Sequence, residues 1–291
     1  MASRPRSVKV ARTVKDLRRI VATWRKAGET VALVPTMGAL HDGHLTLVRA
    51  AQAKAKRAVV SIFVNQTQFA PTEDLARYPR DEAGDLARLA GVGTDLVWSP
   101  EPAEMYPEGF ATRILPEGAA LGLEGEFRPH HFGGVATVCC KLFSQVTPDC
   151  ALFGEKDFQQ LAVVWQMVRD LNLPLTIVGV PTVREPDGLA LSSRNRYLTP
   201  DERAIAPKLN AALRSIAEKV AAGGKVAAAV KSAIATVERA GFTKIDYIAV
   251  RDAETLGDWK PSGGRQGRIL AAAWLGKTRL IDNIALPPPK G

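Results

Sequence analysis

The ten residues from Pro35 to His44, PTMGALHDGH, hold two of the chain's four histidines beside two glycines, directly after the apolar run Val31-Ala32-Leu33-Val34. Imidazoles in a glycine-containing turn can give hydrogen bonds or protons to phosphate oxygens near neutral pH. The apolar run reads as a buried strand and Leu45 to Ala55 carries apolar residues at helical spacing, so the decapeptide is a strand-to-helix junction. Such a junction turns unpaired amides and the positive helix end toward an anion. Gly38 and Gly43 stand five apart, the glycine spacing of a Walker A loop, yet His44 and Leu45 occupy the positions of its Lys and Ser/Thr. This excludes the usual phosphate-hydrolase loop and predicts imidazoles meeting the phosphates. His41 and His44, three apart, share a face if the helix begins at them.

Three further groups could serve the same ligand. Lys156, Asp157 and Gln160 open a helix after the strand that ends in Phe153-Gly154, and their spacing puts them on one helical face. There a carboxylate suits ribose hydroxyls and a lysine suits phosphate oxygens, although a capped helix with a surface ion pair has the same sequence. Gln68 offers a donor and an acceptor, as the carboxylate and hydroxyl of a small acid require; a plain loop glutamine reads identically. Ser192, Ser193 and Arg194 supply two hydroxyls and a planar fork matched to a polyphosphate. His130 and His131 are either a loop pair or part of a metal clip, and the absence of spaced Cys or His partners speaks against metal.

The elements that must position these residues alternate. Val31–Val34, Ala58–Val64, Asp95–Trp98, Ala151–Phe153 and Leu175–Val180 read as strands; Leu45–Ala55, Asp81–Ala90, Val135–Val146 and Phe158–Leu171 read as helices. Alternation of this kind predicts a parallel sheet covered on both faces, with ligands at the carboxyl ends of its strands, where the motifs fall. After Pro181 the character changes. Pro200–Ala222 and Lys225–Ala240 are alanine-rich helices, and Lys244–Arg251, Arg268–Leu275 and Thr278–Ile281 read as antiparallel strands. Gly257 to Gly267 reads as a polar loop and Pro287-Pro288-Pro289 as an extended tail. The chain is thus α/β over residues 1–180, followed by a smaller α+β domain over 181–291 that could act as a lid.

Composition narrows the class. An apolar content of 46% with 24% charged residues is that of a soluble globular enzyme, and no run is long enough to span a membrane. Met1 to Lys15 is basic and reads as a solvated lead-in. Cys139, Cys140 and Cys150, odd in number and without a CxxC spacing, predict reduced buried thiols and a cytoplasmic setting. The net charge of +9 invites a nucleic-acid reading, but the cations are scattered and aromatics are only 6%, which argues against nucleic acid as the partner.

The HxGH pattern resembles the signature of nucleotidylyltransferases and class I aminoacyl-tRNA synthetases. The longer blocks are more specific. PTMGALHDGHLTLV, SIFVN with Gln68-Phe69, Tyr78-Pro79-Arg80, FGEKDFQQ (153–160), DGLALSSRN (187–195), and AAWLG with RLIDN together resemble the pantothenate synthetase family, and they span Pro35 to Asn283. The resemblance implies a Rossmann-like domain and ATP-dependent joining of pantoate to β-alanine through a pantoyl-adenylate. It also implies magnesium on the ATP phosphates with few direct protein ligands, and a homodimer. It places ATP against Met37, Gly38, Ala39, Leu40, His41, Asp42, Gly43, His44, Gly154, Glu155, Lys156, Asp157, Val183, Leu191, Ser192, Ser193 and Arg194, with Val183 offering backbone groups to adenine. Pantoate falls to Gln68 and Gln160, and β-alanine lies against Gln68. His44, His41, Lys156 and Arg194 become the catalytic candidates. ATP and a carboxylic acid bring about five negative charges into one cleft, a use for part of the positive charge. Gln66 stands at the family's usual proline and His130 at its usual glycine, placing the stiffness of one loop and the backbone freedom of another in question. Asp85, in an acidic helix, receives no role.

Overall fold

The computed structural model describes residues 7–70 and 74–287. These fall into two compact units, the first made of Met1–Pro116, His130–Gly154 and Val163–Val180, the second of Glu117–Pro129, Glu155–Ala162 and Pro181–Gly291. The long run of the second unit opens at Pro181, and two earlier segments join it, against the single division expected after residue 180. Side-chain amides in that unit tie both segments down, as described below.

The first unit is a six-stranded parallel sheet in the order β1-β4-β3-β2-β5-β6, with β1 at Val10–Ala11, β2 at Val31–Thr36, β3 at Arg57–Ile62, β4 at Leu96–Trp98, β5 at Cys150–Gly154 and β6 at Thr176–Val180. Helices α1 (Val14–Lys26), α2 (Asp42–Lys54), α3 (Glu82–Gly91), α4 (Pro102–Met105) and α6 (His131–Val146) belong to it, while α5 (Glu124–Phe127) belongs to the second unit and α7 (Phe158–Asp170) begins there. From β2 the chain proceeds to β3 and β4 on one side and to β5 and β6 on the other. This makes the end of β2 a topological switch point, where a parallel sheet opens a crevice for ligand.

Several boundaries differ from expectation for identifiable reasons. Val10–Ala11, read as lead-in, pairs with Val97 and Trp98 at the sheet edge; two residues are too few to show a period. Strand β2 continues through Pro35 because β5 pairs only with Ala32 and Leu33, so no ladder on that side needs the missing N–H. Helix α6 starts at His131, its first turn masked by Gly133-Gly134.

In the second unit β7 (Lys244–Asp252), β8 (Gly267–Leu275) and β9 (Thr278–Leu286) form an antiparallel sheet in that order. The expected helix Pro200–Ala222 is two, α8 (Pro200–Ile205) and α9 (Lys208–Ala221), since Pro207 has no N–H to continue the ladder. Helix α10 is Val226–Arg239. Leu209, Leu213 and Ile216 of α9 and Ala229, Ala233 and Val237 of α10 enter one core with Ile269, Ala271 and Ala273 of β8. Strand β9 runs five residues past the expected Ile281, pairing with β8 to Leu286, because Asp282-Asn283 interrupts the apolar pattern without interrupting the ladder. The expected tail lies, beyond Pro287, outside the described residues.

Candidate functional site

The histidine loop leaves β2 in a backbone shape that few sequences tolerate. Gly38 has φ +80° and Ala39, which carries a Cβ, has φ +52°. Asp85 of α3 holds this turn: its carboxylate accepts from the amides of Ala39 at 2.8 Å and Leu40 at 2.7 Å. A Cβ on Gly38 would meet Asp85 Oδ2 at 2.9 Å, so glycine is needed there for room as well as for φ. Asp85 is only 4% exposed, and burial pushes its carboxyl up from the ordinary value while the two amides pull it partly back.

His41 caps α2 and His44 lies in its first turn, so the two share a face as expected, with ring centroids 4.1 Å apart. The amide of His41 donates to His44 Nδ1 at 3.3 Å. An Nδ1 that accepts leaves the proton of the neutral ring on Nε2, which makes His44 a hydrogen-bond donor through Nε2. Asp42 and Gly43 form the first turn between them, and Leu40 is buried beneath.

Gln68 lies in a 3₁₀ turn, Gln66–Gln68, beyond the end of β3. Asn65 sets its orientation. Asn65, 1% exposed, donates from Nδ2 to Gln68 Oε1 at 3.0 Å and to Gly134 O at 3.1 Å, while its Oδ1 accepts from Tyr106 Oη at 2.8 Å and Thr67 Oγ1 at 3.0 Å. Gln68 Nε2 donates to Met37 Sδ at 3.2 Å, and His131 Nδ1 lies 3.1 Å from Gln68 O, which as a carbonyl can only accept. His131 is thus a buried prop for this turn. The turn forms with Gln66 in place of proline, closed by the Phe69 amide on Gln66 O at 3.2 Å. His130 caps α6 at φ −92°, a region open to any side chain, so a histidine costs nothing where glycine is usual. The glycine that matters is Gly134, where a Cβ would lie 2.5 Å from Thr67 O and 2.6 Å from Gln68 N and Cα. Gly134→Ala is therefore expected to lower stability by about 1–3 kcal/mol; equilibrium urea unfolding with an unchanged midpoint would contradict it.

In the second unit Glu155–Asp157 form a 3₁₀ turn into α7. Lys156 Nζ is 3.7 Å from Asp157 Oδ1, and Gln160 is half-buried in the first turn of α7. Gln159, which received no role from sequence, is buried and spans three backbone groups: it accepts from Glu124 N at 2.9 Å and donates to Ala119 O at 3.0 Å and Gly122 O at 3.1 Å. Val183 and Leu191 face each other across a hairpin, the Leu191 amide donating to Val183 O at 3.0 Å. Ser192 caps the following turn, Ser193–Tyr197, through the Arg194 amide at 3.3 Å. Each set of phosphate candidates is thus assembled locally, the histidines in the first unit, where the pantoate candidate Gln68 also lies, and Lys156, Ser193 and Arg194 in the second. Gly154 closes β5.

The sequence model of the pantoate–β-alanine ligase family matches residues 9–285. The chain belongs to the pantoate–β-alanine ligase family. It is 57% identical to the pantothenate synthetase of Bradyrhizobium sp., covering 97% of this chain and 99% of that one, and 53% identical to that of Caulobacter vibrioides over 95% and 98%. Among solved structures, pantothenate synthetase from Thermus thermophilus superposes with a TM-score of 0.88 at 48% identity over 97% of this chain and all of that one. The Francisella tularensis pantoate–β-alanine ligase, solved with β,γ-ATP and β-alanine, gives 0.80 at 34% over 96% and 97%. The parallel sheet and separate small antiparallel sheet are thus the architecture of these ligases. Among the described residues no helix is long and apolar enough to cross a membrane. Cys139, Cys140 and Cys150 are free thiols; burial pushes Cys139 up to about 12, leaving it inert as a nucleophile.

Proposed function

We propose that this enzyme joins pantoate to β-alanine with ATP through a pantoyl-adenylate, in the cytoplasm and as a homodimer. The observation that carries the reading is the histidine pair held by Asp85 and the start of α2 at the switch point of the sheet. The bound ATP analogue and β-alanine of the Francisella relative support it. A pantoate carboxylate oxygen attacks the α-phosphorus, the bond from that phosphorus to the α,β-bridging oxygen breaks, and pyrophosphate leaves with that oxygen and the electron pair. The β-alanine nitrogen then attacks the acyl carbon, and AMP leaves. His44 donates through Nε2 to the phosphate oxygens as charge develops; His41, Lys156, Ser193 and Arg194 add donors, and Met37 to Gly43, Gly154 to Asp157, Val183, Leu191 and Ser192 form the remaining ATP contacts. Most of the rate comes from positioning and charge stabilisation.

Magnesium fits as a passenger of the nucleotide. Among the described residues no three His, Cys, Asp or Glu side chains converge, so the ion would sit chiefly on phosphate oxygens, where it neutralises charge. The decisive experiment uses pantoate labelled with ¹⁸O in its carboxylate. An adenylate route transfers one label to AMP, whereas release of ADP, or AMP left on a phosphorylated acceptor, would refute it.

Gln68, with Asn65 fixing its amide, binds pantoate and lies against β-alanine, and Gln160 binds pantoate as well. Gln68→Ala is expected to raise the pantoate Kd by about tenfold or more, the scale of a hydrogen bond to a charged group, and to leave ATP affinity nearly unchanged. Equal losses for both ligands in titration calorimetry would remove Gln68 from the pantoate site.

The second unit supplies the lid. ATP with magnesium is expected to slow protease cleavage within residues 184–196, and Arg194→Ala to abolish that protection; equal cleavage with and without nucleotide would dispose of the lid and leave the ligase reading standing.

A further inference from the structure

The RLIDN block within β9 has no contact with substrate in the reading above, yet its last two residues are among the most buried polar residues of the second unit, Asp282 at 5% and Asn283 at 3% exposure. Successive side chains leave a strand on opposite faces, so the dipeptide addresses two different places. On one face Asn283 Nδ2 donates to Glu155 O and to Lys156 O, both at 2.8 Å. Its Oδ1 accepts from Arg268 Nε at 2.7 Å, which fixes the amide so that its nitrogen meets the two carbonyls. Arg268, lying over the Phe158 ring at 4.0 Å, also donates to Glu155 Oε2 at 2.9 Å. On the other face Asp282 is gripped by Arg184 through two bonds of 2.8 Å, and accepts from Asn210 Nδ2 of α9 at 3.0 Å. Arg184 also donates to Gly188 O at 3.0 Å, across the hairpin whose second strand leads into Ser192-Ser193-Arg194.

We infer that Asp282 and Asn283 are positioning residues shared by the two nucleotide-contacting loops of the second unit. Asn283 fixes the backbone that carries Lys156, and Asp282, through Arg184, fixes the root of the hairpin that carries Ser193 and Arg194. The inference rests on the assignment of those loops to ATP made under Proposed function. One rigid strand then sets the spacing of both loops, which an independent anchor for each would not do. Neither residue touches substrate, so each acts only through the loop it holds.

The test is a set of double-mutant cycles read as kcat and KM for ATP on the full chain. Asn283→Ala and Arg184→Lys are each expected to lower kcat/KM for ATP by about tenfold or more, the scale of displacing a positioned group by a fraction of an ångström. In a Lys156→Ala background Asn283→Ala should cost less than about twofold further, and so should Arg184→Lys in an Arg194→Ala background, because each acts through the residue already removed. Should Asn283→Ala fail to fold by circular dichroism, Asn283→Asp replaces it, keeping the volume and turning the donor into an acceptor against two carbonyls. Losses of the same size in both backgrounds would show a general structural role and overturn the inference, with the site reading intact. Wild-type turnover in Lys156→Ala and Arg194→Ala would overturn the loop assignment and this inference with it.

Discussion

His44→Ala is expected to slow adenylate formation by about two to three orders of magnitude, the scale lost with one donor aimed at developing charge, while the fold persists. The side chain is half-buried at the start of α2, and the loop before it is held by Asp85 through the amides of Ala39 and Leu40, bonds in which His44 takes no part. Rapid-quench measurement of pyrophosphate release isolates the affected step. Glutamine places an N–H donor near the position of Nε2 without being able to transfer a proton. Partial recovery in His44→Gln would assign His44 to charge stabilisation, and none would assign it to proton donation. A folded His44→Ala enzyme with a normal burst would remove the histidine from catalysis.

Asp85→Ala should damage both stability and activity. It removes the carboxylate that accepts from the buried amides of Ala39 and Leu40, and losing these two bonds costs about 2–4 kcal/mol. Ala39 then loses the carboxylate bond that holds its left-handed backbone, and the histidines at the end of the turn shift. A loss of kcat of about tenfold to a hundredfold follows from that displacement. The pH dependence carries a further signature. The carboxyl of Asp85 is raised by burial, so the folded state holds its proton to higher pH than the unfolded chain does. The stability of the wild type relative to Asp85→Asn should accordingly be greatest below the ordinary carboxylate value of 3.8, decline as pH rises through the raised value, and then level off. Urea midpoints for both proteins across this range would show it, and a difference that grows with pH would contradict it.

The alternating strands and helices of the first 180 residues were legible because each is long enough to show its period, and the histidine loop because glycines and imidazoles at a strand end have few other uses. What sequence concealed was the support behind the site. Asp85 looks like one more acidic residue of an amphipathic helix, since nothing in its neighbourhood reports that two amides forty-five and forty-six residues away need an acceptor. Asn65 and Gln159 stood inside informative blocks, but Gln159 bonds to backbone and Asn65 to the neutral polar groups of Thr67, Gln68, Tyr106 and Gly134, which leaves no charge-pairing signal in the sequence. Strand β9 outruns the expected Ile281 because Asp282-Asn283 breaks the apolar pattern while the ladder continues to Leu286. Local rules fail where polar residues are retained in a strand to hold something else. Residue type alone makes His130 look out of place at a usual glycine, whereas the backbone there lies in an ordinary region.

The hairpin from Val183 to Leu191 is held at two places of opposite character. At its root Arg184 and Asp282 are 18% and 5% exposed; toward its tip Asp187 meets Arg203 at 2.6 Å with side chains 42% and 37% exposed. Dissolved ions reach the second pair and not the first, and a Debye length of about 8 Å at physiological ionic strength screens only what solvent can enter. Added salt therefore loosens the tip and spares the root. The enzyme's response to ionic strength should come from weakened attraction of its anionic substrates and a freer tip, with the alignment of Ser193 and Arg194 preserved.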